Sequence, residues 1–159
     1  MIVVVMGVAG AGKSTLGAAL AARLGWRFID ADDHHPPRNV ARMAAGIPLE
    51  DEDRWPWLDQ LNKILLGGKD IVLACSALKE SYRRRLLEGV GASRVVYLHG
   101  SFELIASRLA ARRHRYMPAS LLESQFAALE PPAGAIAIDV AATPGHCVDA
   151  IVAELQLPM

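Results

Sequence analysis

A chain of 159 residues, 52% of them hydrophobic, is long enough to bury a core as one domain and too apolar to be disordered. Lysine plus arginine and aspartate plus glutamate each total 17, so no net charge draws the chain to nucleic acid or to an anionic membrane. The two cysteines, Cys75 and Cys147, form no C-x-x-C pair, which excludes a zinc knuckle and a disulfide framework.

In chain order, residues 2–6 are a continuous β-branched run, the mark of a buried parallel strand. The run is too short and lacks the basic flank of a signal peptide, and no apolar stretch reaches the roughly 18 residues that span a bilayer. A cytoplasmic protein is expected. Residues 14–24 predict a helix closed by Gly25, and 26–30 a second strand. A helix enters through residues 33–37, with prolines in its first turn, and stops at Gly46. The acids Glu50 to Asp53 suit the start of the next helix, which ends at Gly67-Gly68. Further strands are predicted at 70–75, 94–99 and 136–140, and further helices at 79–87, 102–112, 118–129 and 146–155. Strands alternating with helices predict an α/β fold of three layers, a five-stranded parallel sheet with helices on both faces.

The strongest signal is the run Gly7, Val8, Ala9, Gly10, Ala11, Gly12, Lys13, Ser14, followed by Thr15, which satisfies G-x-x-x-x-G-K-[ST] between a strand and a helix. By chance the four fixed positions coincide in under about 1% of chains this long. Glycines let successive backbone N–H groups turn inward around phosphate oxygens, and the helix that follows points its positive end at the same place. Lys13 then reaches the terminal phosphates of ATP, and the Ser14 hydroxyl ligates Mg²⁺. Guanine specificity is excluded, because Asn62-Lys63-Ile64-Leu65 has leucine where the base-reading aspartate belongs. What remains is a small-molecule or nucleotide kinase.

Asp30 and Asp32 follow the second strand and so stand at the carboxyl edge of the sheet beside the phosphate loop. One carboxylate there is placed to hold Mg²⁺ through water, the other to accept the hydrogen bond of an attacking hydroxyl. The third strand ends at Cys75 rather than at an aspartate, which leaves the metal to Ser14 and the Asp30/Asp32 pair. Asp33 reads as a helix cap, and His35 as a substrate hydrogen-bonder or a loop-packing residue. Arg108, Arg112, Arg113 and Arg115 form a local basic excess suited to clamping phosphates. Of these, Arg108 and Arg112 are expected to contact ATP, with Arg112 acting in catalysis from a mobile lid at about 112–119.

Several segments together carry a resemblance. They are Gly7 to Thr15, Asp30-Ala31-Asp32-Asp33-His34-His35-Pro36, Asn39, Gly46-Ile47-Pro48-Leu49, Asp51-Glu52-Asp53-Arg54, Cys75-Ser76-Ala77-Leu78-Lys79, Tyr82-Arg83 and Ser124-Gln125-Phe126. With these the chain resembles the P-loop gluconokinases, relatives of shikimate and nucleoside-monophosphate kinases. The resemblance implies phosphorylation of D-gluconate by Mg-ATP, feeding the pentose phosphate route, and a homodimer. It also implies that Asp32 orients the sugar-acid hydroxyl; Ser14 and Asp30 are expected at the metal, with the choice between Asp30 and Asp32 left open by sequence. Arg54, Lys79, Arg83 and Gln125 are by the same resemblance substrate contacts. The chain departs from the family at His114-Arg115-Tyr116-Met117, where relatives place Gly-His before the aromatic-Met pair. A kinase of another small acceptor, shikimate-like or a nucleotide, is the alternative.

Overall fold

A computed structural model describes residues 1–111 and 119–157. The expected lid at about 112–119 therefore falls almost wholly outside the described residues, and Arg112, Arg113 and Arg115 fall outside them with it. Five parallel strands, β1 (Ile2–Met6), β2 (Arg27–Asp30), β3 (Ile71–Ala74), β4 (Ser93–His99) and β5 (Ile136–Asp139), form one sheet in the order β2-β3-β1-β4-β5. Val4 of β1 lies opposite Leu73 of β3 on one side and Val95 of β4 on the other. Central β1 is buried at every residue, whereas edge strand β5 alternates buried and exposed.

Seven α-helices complete the described chain: α1 (Lys13–Leu24), α2 (Pro37–Ala44), α3 (Asp51–Leu66), α4 (Glu80–Leu86), α5 (Phe102–Ala110), α6 (Ala119–Ala128) and α7 (Pro144–Leu155). Side chains alternate across a strand, so each strand feeds two cores. Val3, Val5 and Val96 share one core with Leu20 of α1, Ile105 of α5 and Ile151 of α7. Ile2, Val4 and Leu73 share the other with Trp57 and Leu61 of α3 and Leu86 of α4. The three layers predicted from the strand–helix alternation are present. Among the described residues, no helix is long and apolar enough to cross a membrane.

Local chemistry sets the helix ends. Gly25 closes α1 in the left-handed region at φ 70°. At the start of α3, Glu50 and Asp53 form a reciprocal capping box, with the Glu50 N–H donating to Asp53 Oδ2 at 2.9 Å. α5 stops at Ala110, short of the predicted end at 112. The strand order reverses at β1, which is flanked by β3 and β4. A crevice is expected at its carboxyl end, where the glycine-rich loop begins.

Candidate active site

The loop between β1 and α1 is built from tight backbone turns. The Ala11 N–H donates to the Val8 carbonyl, and Leu16 N–H to Gly12. Gly12 adopts φ 97° and Gly10 φ 82°, conformations that side chains rarely take. A Cβ on Gly10 would also lie 2.6 Å from Leu109 Cγ, so α5 packs directly under the loop. Gly12 caps α1 without a side-chain hydrogen bond, and no acid occupies the first turn, which leaves the helix N-terminus suited to an anion. Lys13 folds over the loop and donates Nζ to the Val8 carbonyl at 3.0 Å.

Sixteen residues further on, the end of β2 brings Asp30 to Ser14, whose Oγ donates to Asp30 Oδ2 at 2.6 Å. Asp30 Oδ1 accepts the Asp32 N–H at 3.0 Å, which caps a short 3₁₀ turn (Ala31–His34). A hydroxyl and a carboxylate oxygen side by side are hard donors suited to Mg²⁺. Among the described residues no cluster of three or more His, Cys, Asp or Glu is arranged for a metal. Of the two carboxylates, Asp30 is the one that lies against Ser14.

Cys75 lies at the meeting point of these groups. Burial pushes its thiol up to about 12, with the charges of Asp32 and Asp30 adding to the rise and that of Lys13 opposing it. Such a thiol carries almost no thiolate near neutrality, so it packs rather than reacts.

Beside the phosphate loop opens a cleft of about 350 Å³, at the small end of ligand cavities. Asp51 and Arg54 of α3, Lys79, Tyr82 of α4 and Gln125 of α6 line it. Arg54 and Lys79 both approach the Tyr82 ring, at 5.1 and 5.5 Å from its centroid. The Tyr82 hydroxyl donates to Asp51 and holds that carboxyl below its ordinary range, Lys79 at 3.4 Å assisting. Gln125 ties the cleft to the cradle, since its Oε1 accepts the Ala9 N–H at 2.7 Å.

Comparison with known proteins agrees with this geometry. A family model described as shikimate kinase matches residues 9–128. A probable gluconokinase of Mus musculus is 49% identical over 82% of this chain and 83% of its own. A gluconokinase of Gluconobacter oxydans is 48% identical over 81% and 75%. This chain belongs to the gluconokinase family. A solved gluconokinase from Sinorhizobium meliloti superposes with a TM-score of 0.90 at 44% identity, covering 96% of this chain and 90% of that one.

Within this gluconokinase-family chain, the residues singled out from sequence fall into two groups. Lys13, Ser14 and Asp30 converge on the cradle, while Arg54, Lys79 and Gln125 line the cleft. Three of the residues expected at the site have partners elsewhere in the fold. Arg83 is buried and does not line the cleft; its guanidinium donates to the carbonyls of Ala77 (2.7 Å), Leu78 (3.1 Å) and Glu130 (2.9 Å). It thereby clamps the turn after β3, where Ala77 takes a left-handed φ of 44° that costs about 1–2 kcal/mol. Its neighbours Arg84 and Arg85 are exposed and pair with Glu80 and Asp59. Arg108 donates Nη2 to the Val140 carbonyl past β5 at 2.6 Å and so braces the sheet end. His35 is the third: its imidazole is only 3% exposed and stacks on Trp57 with ring centroids 4.0 Å apart, the packing role offered as one of its two readings.

Asn39 escaped functional notice in the sequence. It is 2% exposed and donates Nδ2 to the Asp53 carbonyl at 2.8 Å, and that amide also meets His35 Nδ1 at 3.2 Å. A buried polar residue on α2, a helix that is otherwise largely exposed, was the available signal.

The Arg83 clamp has a measurable consequence. Arg83→Met keeps most of the volume but takes the donor from the Ala77 and Glu130 carbonyls, while Leu78 keeps the Glu130 N–H at 2.8 Å; each carbonyl left buried and unpaired costs about 1–3 kcal/mol. We expect urea unfolding to show a loss of about 3 kcal/mol. A stability within about 0.5 kcal/mol of wild type would return Arg83 to the list of substrate contacts.

Proposed function

We propose that this protein transfers the γ-phosphoryl group of ATP to the terminal hydroxyl of D-gluconate, giving ADP and 6-phospho-D-gluconate for the pentose phosphate route. One juxtaposition supports it: a phosphate cradle with a carboxylate pair at its lip stands beside a cleft carrying Arg54 and Lys79, in a chain close to half identical to gluconokinases. Two cations against one aromatic ring suit the carboxylate of an aldonate, which a neutral sugar lacks. The acceptor oxygen forms a bond to the γ-phosphorus as the bond to the bridging oxygen breaks, and ADP departs with the freed electron pair. Asp32 accepts the hydroxyl proton. Ser14 and Asp30 would hold Mg²⁺, which when bound supplies positive charge to the phosphate oxygens. Lys13 and the loop N–H groups bind and orient the phosphates.

The test is ADP release across a panel of gluconate, shikimate, glucose and AMP. Gluconate should exceed each of the others in kcat/KM by about 10²-fold or more, the margin that unpaired charged groups impose on a misfit acceptor. A larger value with shikimate would assign the cleft to that acceptor.

The metal assignment is separable. Asp30→Asn should raise the Mg²⁺ concentration for half-maximal rate by about 10–100-fold, read from initial rates at saturating ATP and gluconate. An unchanged Mg²⁺ requirement with a collapsed kcat would exchange the roles of Asp30 and Asp32.

The same proposal includes one domain over 1–159, a cytoplasmic location and a homodimer. A monomer mass in sedimentation velocity would refute the last.

A further inference from the structure

On the kinase reading above, we propose that His35 is a positioning residue for Asp32, held by Asn39 as the neutral tautomer that carries its proton on Nε2 and presents that N–H to the Asp32 carboxylate.

The tautomer follows from donor and acceptor chemistry. A backbone carbonyl only accepts, so the Asn39 atom 2.8 Å from the Asp53 carbonyl must be the amide nitrogen. That nitrogen has two protons, and its other contact is His35 Nδ1 at 3.2 Å. An amide nitrogen only donates, so Nδ1 must be the bare, accepting nitrogen. The proton of a neutral ring then lies on Nε2, which stands 3.8 Å from Asp32 Oδ1. This is beyond hydrogen-bond length, and contacts of this kind tighten when substrates bind.

The surroundings favour the neutral ring. Trp57 stacks on it at an interplanar angle of 15°, and the Trp57 Nε1–H is committed to the Ala31 carbonyl at 2.8 Å. Burial lowers the His35 pKa from its ordinary value; the Asp32 charge opposes this and the Arg54 charge adds to it. Asp32 itself has a side chain 49% exposed on a short 3₁₀ turn. A neutral N–H directed at one oxygen of that carboxylate orients it without the full charge of an imidazolium. The chain of contacts runs back through Asn39 to Asp53 in the first turn of α3, which also carries Asp51 and Arg54 into the cleft. The carboxylate that receives the hydroxyl is thereby tied to the helix that lines the acceptor site.

Two measurements test this. Long-range proton–nitrogen NMR on the intact wild-type protein at pH 7.5, without ligands, should show His35 Nδ1 unprotonated and Nε2 protonated. The opposite pattern overturns the proposal whatever the protein phosphorylates. In kinetics, His35→Phe keeps a ring on Trp57 and loses the N–H. Its kcat with gluconate should fall about 10–100-fold, the scale of a misplaced reacting group, with ATP Kd and gluconate KM within about twofold. His35→Gln, whose amide nitrogen sits near the Nε2 position, should recover kcat to within about threefold of wild type. A kcat unchanged in His35→Phe, a loss confined to KM, or an equal loss in His35→Gln would overturn it. A wild type inactive on gluconate would refute the substrate assignment alone, and the NMR pattern would still decide the tautomer.

Discussion

Lys13→Ala should lower turnover by at least about 10³-fold while leaving the fold intact. Electrostatic groups aimed at developing phosphoryl charge are commonly the largest single contribution to catalysis, and removing one donor costs about 10²–10³-fold. Lys13 exceeds an ordinary donor, because it is the only charged residue between Gly7 and Thr15 and the chain has no net positive charge to substitute for it. Its Nζ is already turned over the loop, donating to the Val8 carbonyl at 3.0 Å, so little reorganisation precedes its use. Loss of that partly buried bond removes about 1 kcal/mol of stability, which a thermal melt resolves from unfolding. Near-normal ADP release from folded Lys13→Ala would overturn the assignment of the cradle.

Asp32→Asn should lower kcat by about 10²–10⁴-fold, the range for a lost general base, and leave ATP affinity within a few-fold of wild type. The split follows from the geometry of β2. Its last residue, Asp30, bonds Ser14, whereas Asp32 sits within the 3₁₀ turn that follows and donates its backbone N–H to Asp30 Oδ1. The asparagine variant preserves size and that N–H, so the Ser14–Asp30 pair is undisturbed. Single-turnover kinetics with isothermal titration of ATP separate the two effects. A phenotype confined to ATP or Mg²⁺ affinity would place Asp32 with the metal and leave the acceptor hydroxyl to another group.

The sheet and the glycine-rich loop are legible in the order of the amino acids. Both depend on short-range rules: the apolar run at Ile2–Met6 buries on two faces wherever it lies, and glycines at 10 and 12 permit φ values of 82° and 97° that the loop needs. The family resemblance named Arg54, Lys79 and Gln125, and these do line one cleft. Only the tertiary structure separated Arg83 from Arg84 and Arg85. Three consecutive arginines on a helix point about 100° apart, and which of them turns inward depends on carbonyls as distant as Glu130, 47 residues along the chain. Only the folded chain gave Asp30 rather than Asp32 to Ser14, turned Arg108 to the end of β5, and set Asn39 between His35 and Asp53. A lone histidine or asparagine has no periodicity to reveal its partner. Its role is set by which donors and acceptors lie within about 3 Å after packing, and that is a property of long-range contacts.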